Sequence, residues 1–501
     1  MKRAGPRMNL ADILDDHAAR QPGRPAVIHA GGVVTHAEFT DHVGRWAAHL
    51  ADRNIGSGDI VGLDLGDTVE HVIALFAIAR LGAVILPMDW RWTAGEKRNI
   101  ADFFGARIVL CEAGDELLDT DIAARTAIVD EQWLSEVAAA DGARKFAAGD
   151  DPPLVLSLSS GTTGIPKGPM ITHDQMYARF AIYFESLGFD EGTRFLCASP
   201  LYFGGSRGYT MCALYSGATV VMFPQPYAAA ELVAAASREN ASHLFLVPTV
   251  LRWLLDVPGG LAEAPLLGGL ECLFSTGAAL HPEEREELLA RICPNYINFY
   301  GSTDGGGCTA LLPGDPPASA GSVGRPVFST KLEIVDQDDR ILPTGDVGAI
   351  RYRHPGTATS YHNNPEESAE AFRGGWYYPG DLGWVDGEGF LFLAGRAKDM
   401  IIRGGINVYP AEIEHVLSLH SDVREVAVVG RPSREYGEEI AAFVVPRNTA
   451  KPPDEDALRG HCGNSLARYK VPREFHFIDE LPKSGVGKIL KTELRERLGS
   501  D

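Results

Sequence analysis

Across residues 60 to 250 the chain keeps returning to one pattern. A short run of apolar residues is followed by Gly or Pro and then by a stretch of helical period. The runs fall at 60–65, 83–87, 107–111, 154–158, 219–223 and 243–247. They are apolar throughout rather than alternating, which marks strands covered on both faces. Strand–helix succession then brings each strand back parallel to the last. The expected fold class is therefore α/β, with parallel-rich sheets carrying helices on both faces. Near Ser322 the texture changes. Pieces at 323–336, 348–353 and 389–393 are short and separated by Pro, Gly and Asp turns, as in a small antiparallel β-barrel or sheet. After Gly395-Arg396-Ala397-Lys398-Asp399 a further α+β unit of about a hundred residues is expected. A chain of 501 residues calls for more than one core, and the expected division is 1–397 and 398–501.

Charge narrows the partners. Lys plus Arg number 46 against 67 Asp plus Glu, a formal net charge of −21. Such a surface repels phosphate backbones and anionic lipid, so no nucleic acid partner is expected. The seven cysteines are scattered, odd in number and never spaced C-x-x-C. They read as reduced core thiols of a cytoplasmic protein rather than as a disulfide framework or zinc site. Residues 1–10 lack the apolar centre of a signal peptide. The most apolar stretch, 71–88, carries Arg80 and Gly82 and breaks at Pro87, so a helix entering a buried strand is expected there and no membrane span.

The sharpest motif follows the run at 154–158: Ser159-Ser160-Gly161-Thr162-Thr163-Gly164-Ile165-Pro166-Lys167-Gly168. Glycines let backbone N–H groups approach an anion, hydroxyls add donors, and Lys167 adds charge. This is not a Walker A loop, because Pro166 precedes the lysine and Gly168 stands where Ser or Thr is required. The decapeptide resembles the phosphate-loop signature of the adenylate-forming superfamily: acyl- and aryl-CoA synthetases, peptide-synthetase adenylation domains and luciferases. Four further strings follow in the family's order. Tyr300-Gly301-Ser302-Thr303-Asp304 resembles its Tyr-Gly-x-Thr-Glu element, and Tyr378-Pro379-Gly380-Asp381 its Tyr-x-Thr-Gly-Asp element. Gly395 to Asp399 resembles its interdomain hinge. Pro482-Lys483-Ser484-Gly485-Val486-Gly487-Lys488 resembles its C-terminal catalytic-lysine motif.

The resemblance implies an ATP-dependent carboxylic acid–CoA ligase, closest to acyl- or aryl-CoA ligases. In it, 1–397 is the AMP-binding domain, and 398–501 is a mobile lid turning about a hinge near Lys398. It implies that Lys488, Thr303 and Lys167 are catalytic. ATP or AMP would be held by Ser159, Ser160, Gly161, Thr162, Thr163, Gly164, Lys167, Tyr300, Gly301, Thr303, Asp381, Arg396 and Lys488. In the same reading Asp381 takes the ribose hydroxyls with Arg396 beside it, and Tyr300 packs on adenine. Position 304 would hold Mg²⁺, and here the chain departs from the family, with Asp in place of Glu. One methylene fewer implies a metal contact through water. The string Arg403-Gly404-Gly405-Ile406-Asn407-Val408-Tyr409-Pro410 resembles the CoA-ligase form, with Gly404 and Gly405 walling the pantetheine channel. ATP, Mg²⁺ and coenzyme A are thus the implied cofactors and co-substrate.

Pro200-Leu201-Tyr202-Phe203-Gly204-Gly205 stands where many CoA ligases have Pro-x-x-His, so Phe203 replaces the usual gate. Phe203, Gly205, Tyr209, Thr276, Gly277 and Gly306 are the candidate acyl pocket, and an apolar aryl or medium-chain acid is the expected substrate. Arg207 is expected to face away from that pocket. The alternatives are a stand-alone adenylation enzyme that loads a carrier protein, an esterase using Ser206 in Gly204-Gly205-Ser206-Arg207-Gly208, and an inactive nucleotide sensor. Oligomeric state is left open, with a homodimer as one option.

Overall fold

The structure is a computed structural model, and it describes residues 9–144, 146, 151–158, 167–257, 265–277, 280, 282–404, 406–483 and 489–498. Each of the six apolar runs holds a strand of three to five residues. They divide between two sheets. One has six strands in the order Thr126–Ile128, Ile108–Cys111, Ile60–Asp64, Val84–Pro87, Pro153–Leu156, Met170–Thr172. It is parallel except for its last strand. The other has nine strands. Its parallel centre runs from Tyr296–Ser302 through Cys272–Ser275, His243–Phe245, Arg194–Cys197 and Thr219–Met222 to Pro25–His29. Antiparallel strands flank that centre: Gly32–Thr35 at one edge, Gly306–Leu311 and Arg325–Pro326 at the other.

Helix starts are set locally. Thr35 with Glu38, Thr93 with Glu96, and Thr172 with Gln175 form reciprocal capping boxes, each satisfying two backbone donors that the helix itself leaves open. The last begins the helix His173–Leu187, which ends at Gly188 in the left-handed region, φ 74°. That helix carries Arg179 into the site.

The segment after Ser322 forms an all-antiparallel sheet in the order Phe372–Arg373, Trp376–Tyr377, Gly348–Arg353, Asp381–Val385, Leu391–Arg396, with Lys331–Val335 also pairing to Gly348–Arg353. Among the described residues its ladder does not close on itself, so of the barrel or sheet expected it is the open sheet. The C-terminal sheet orders Ile406–Val408, Ile401–Arg403, Gly437–Pro446 and Val423–Ser433, with Glu474–Phe477 parallel to Gly437–Pro446. Its long hairpin outruns the apolar pattern, because the ladder continues through polar pairs to Ser433 opposite Gly437. A core of its own, including Ile413, Leu417, Val428 and Val444, lies under the helix Pro410–Ser418.

The apolar stretch at 71–88 divides into the helix Val69–Arg80 and the strand Val84–Pro87. Among the described residues no helix is long and apolar enough to cross a membrane. All seven cysteines are buried and unpaired.

Candidate active site

The strand Tyr296–Ser302 runs into a turn at Thr303–Asp304, and the chain returns as Gly306–Leu311. The two strands come so close that a Cβ on Gly301 would overlap the carbonyl oxygen of Gly306 and lie 3.0 Å from Gly307 Cα. Only glycine fits there. The turn is held from below by Arg179, which donates to Gly356 O at 2.8 Å and to Thr303 O and Asp304 O at 2.9 Å each. Thr303 itself is half-buried.

Asp304 is buried. Its Oδ2 accepts from the hydroxyls of Tyr361 at 2.7 Å and Tyr377 at 3.2 Å, whereas its Oδ1 has no hydrogen-bond partner. Burial, and next the Asp304 charge, push both phenols well above their ordinary pKa, so they stay protonated donors. Neither tyrosine was singled out from sequence. Tyr377 neighbours the Tyr378-to-Asp381 string. Tyr361 lies in a stretch with no local signal at all.

On the adjoining strand Asp381 has both oxygens engaged. Tyr300 OH donates to Oδ2 at 2.6 Å, and Arg396 Nε lies 2.7 Å from Oδ1. Arg396 also donates to Pro379 O at 3.0 Å. The register brings them together, because Asp381 pairs directly with Arg396 across the ladder. Burial and the neighbouring Asp381 carboxylate raise the Tyr300 phenol well above its usual range. Tyr300, Thr303, Asp304, Asp381 and Arg396 therefore share one region.

Lys167 reaches the same region from the other side. Its Nζ is 3.3 Å from Glu367 Oε2 and 5.1 Å from the centre of the Tyr361 ring, the ring whose hydroxyl holds Asp304. The loop residues Ser159, Ser160, Gly161, Thr162, Thr163 and Gly164 lie outside the described residues, as do Lys488 and Gly405.

On the acyl side, Gly205 opens the helix Gly204–Tyr215, and a Cβ there would stand 3.0 Å from the Phe203 ring and 3.3 Å from the Tyr209 ring. Phe203 is half-buried and stacks on Phe245, interplanar angle 10°. Tyr209 is fully enclosed by Phe245, Phe274 and Tyr183, ring centres 5.0, 4.7 and 4.8 Å away. Thr276 is half-buried and Gly277 exposed, just beyond the strand Cys272–Ser275. Gly306 is buried under His354 and Arg179 rather than facing open space. Ser206 is fully buried, with Oγ donating to Ser199 O at 2.6 Å and Cys197 Sγ 3.7 Å away. A serine spent on a backbone carbonyl and out of solvent is no nucleophile, so the esterase reading has no geometry. Arg207 turns inward, donating to Tyr202 O and Ser157 Oγ at 2.9 Å each.

Lys398 is exposed in the short turn Ala397–Asp399. On the C-terminal side of this turn Arg495 reaches back to Asp399 at 2.6 Å, and Gly404 N donates to Tyr436 O at 2.7 Å.

The description AMP-binding enzyme matches residues 14–362, and AMP-binding enzyme C-terminal domain matches 412–488. The chain is 32% identical to an indoleacetate–CoA ligase of Aromatoleum aromaticum, an alignment covering 98% of each chain. In shape it is similar to ATP-bound MatB from Rhodopseudomonas palustris, with TM-score 0.90, 27% identity and 98% of each chain covered. It is also similar to o-succinylbenzoate CoA synthetase (MenE) from Bacillus subtilis in complex with the acyl-adenylate intermediate OSB-AMP, with TM-score 0.87, 28% identity and 98% of each chain covered. With both the large N-terminal and the C-terminal matches in place, the chain belongs to the family of AMP-binding enzymes.

Proposed function

We propose that this chain is an ATP-dependent acid–CoA ligase working through an acyl-adenylate, on an apolar aryl or medium-chain acid. The observation that carries the reading is the convergence of Thr303, Asp304, Asp381, Arg396 and Lys167 on one region. In the first step a carboxylate oxygen attacks the α-phosphorus of ATP, and the bond to the leaving pyrophosphate breaks. Two anions meet, so the site must supply positive charge and donors at the point of contact. Lys488 neutralises that meeting, Thr303 donates to the α-phosphate, and Lys167 with the 159–168 loop holds the outer phosphates. Asp381, fixed by Tyr300 and Arg396, accepts from the ribose hydroxyls. In the second step the thiolate sulfur of coenzyme A attacks the acyl carbon and AMP leaves. The unit after residue 397 turns about Lys398 between the steps, exchanging Lys488 for the Gly404–Gly405 segment.

Mg²⁺ fits the residues present in a limited way. It binds through one or two carboxylates plus phosphate oxygens and waters, and Asp304 offers one buried oxygen that no donor occupies. Asp304 would be its protein ligand, and the ion would neutralise phosphate charge. Phe203, half-buried beside Gly205 and stacked on Phe245, supports an apolar acyl group. The test is mass-spectrometric. Purified protein with Mg-ATP, coenzyme A and a pool of aryl, fatty and dicarboxylic acids should yield AMP and one aryl or medium-chain acyl-CoA. Adenylate without acyl-CoA would move the acceptor to a carrier protein. No ATP turnover with any acid, together with nucleotide binding, would leave the sensor reading in its place.

A further inference from the structure

Two guanidinium groups are buried beneath this region, and the chemistry above uses neither. Arg179 is 6% exposed and Arg207 2%, and Arg207 ranks among the largest fully buried side chains of the protein. Among the described residues neither has a carboxylate within ion-pair distance. Their partners are neutral: Gly356 O, Thr303 O and Asp304 O for Arg179, and Leu201 O, Tyr202 O and Ser157 Oγ for Arg207. Those partners are the parts on which adenylation would turn. Thr303 and Asp304 form the turn above Arg179. Ser157 follows the strand Pro153–Leu156 that leads toward the phosphate-loop sequence, and Leu201 and Tyr202 lead into Phe203.

Arg207 and the Thr303 turn that Arg179 holds border one space. A Cβ on Gly204 would stand 3.7 Å from Arg207 Nη2 and 3.7 Å from Thr303 Oγ1, so the missing side chain leaves a gap between guanidinium and hydroxyl. Arg207 also feels Arg179. Burial first, and then the repulsion of Arg179, bring it down to about 10, which still leaves it charged at neutral pH. Arg179 feels the buried Asp304 carboxylate beyond ion-pair distance, whereas Arg207 has only neutral partners, and a buried charge that neutral groups alone receive is costly. An anion entering beside it would offset that cost. ATP brings several negative charges to this place.

Resting on the adenylate-forming reading of the site, we propose that Arg179 and Arg207 are a buried cationic pair that attracts the nucleotide phosphates and fixes the backbone that receives them. They are positioning residues, acting through Thr303, Asp304 and Ser157 and through their field in a poorly screened interior. A purely structural role would act equally on every ligand of the site, whereas a charge role scales with ligand charge.

The experiment is a calorimetric titration of the full chain with ATP, AMP and adenosine, comparing Arg207→Met and Arg207→Lys with the unsubstituted protein. Arg207→Met should weaken ATP by about tenfold or more, AMP by less, and adenosine by under about threefold. Arg207→Lys keeps the charge and should hold the ATP-to-adenosine ratio within about threefold of the unsubstituted value. Equal losses for all three ligands, or none, would overturn the proposal. Should either Arg207 variant fail to fold, Arg179→Met and Arg179→Lys carry the same comparison. An unsubstituted chain that binds none of the three ligands would overturn the adenylate-forming reading itself. Tight ATP binding that ignores the arginine charge would overturn only the present inference.

Discussion

Asp381 shows how one side chain can organise a site before substrate arrives. Its two oxygens are taken by Tyr300 and Arg396, and each contact is short. Asp381→Asn keeps the shape but removes the charge, so it weakens the pairing with Arg396 and turns one oxygen into a donor facing Arg396 or Tyr300. A hydrogen bond to a charged group contributes about 1.5–3 kcal/mol, so KM for ATP in pyrophosphate exchange should rise roughly tenfold to a hundredfold. An unchanged KM would remove Asp381 from nucleotide binding. Lys488 is assigned from the family resemblance rather than from position. Lys488→Ala should slow adenylation by about 10²–10³-fold, the scale for one lost electrostatic contact in the transition state. Thioester formation from a supplied acyl-adenylate should suffer far less. Equal damage to both steps would contradict the rotation of the C-terminal unit between them.

At the level of elements, the antiparallel pair Tyr296–Ser302 and Gly306–Leu311 aims the Thr303–Asp304 turn, and Gly301 sets how closely its strands approach. Gly301→Ala would drive a methyl into the backbone oxygen of Gly306, which has no rotamer by which to escape. A loss of roughly 1–3 kcal/mol in urea unfolding is expected, with adenylation falling more steeply than stability. Stability like that of the unsubstituted chain would mean the strands separate easily. Elements of this kind were partly legible in the sequence. The buried strands could be read because a strand covered on both faces must be apolar along its whole length, as at 60–64 and 219–222. The Tyr300, Thr303, Asp304, Asp381 and Arg396 positions could be read because their types and order resemble a family. Tyr361, Tyr377 and Arg179 could not. Their partners are 57, 73 and more than 120 residues distant, and nothing local distinguishes a tyrosine that will hold a carboxylate from one that will fill a core. Arg207 was expected only to face away from the acyl pocket, and periodicity did not give its partners, the carbonyls at the Leu201–Tyr202 turn and the Ser157 hydroxyl.

For the whole molecule, buried histidines set the acid limit of the fold. His36, His71, His173 and His354 are each lowered to about 4, in every case mainly by burial. Their hydrogen bonds fix them as neutral rings. His173 Nδ1 accepts from Leu10 N at 3.1 Å, while His71 Nδ1 donates to the carbonyls of Leu65 and Gly66 and its Nε2 lies buried without a partner. A second proton would break the first bond or strand a charge beside the second. The unfolded chain protonates near 6.5 and therefore binds more protons between pH 6.5 and 4, so stability is full above 6.5 and is lost as pH falls through this window. Each histidine removes about 2 kcal/mol between pH 7 and pH 5. Two buried acids oppose them. Burial raises Asp64 to about 7 and Asp67 to about 6, so their contribution is greatest in acid and fades as pH rises toward those values. Four groups against two leaves the fold weaker at pH 5 than at pH 7. Comparing His71→Asn with the unsubstituted chain separates the terms, since asparagine keeps a donor for Leu65 and Gly66 but cannot take up a proton. In urea titrations at pH 7 and pH 5 the variant should lose about 2 kcal/mol less than the unsubstituted chain across that interval. Parallel losses would mean that His71 charges in the folded state without penalty, and that the acid limit is set elsewhere in the molecule.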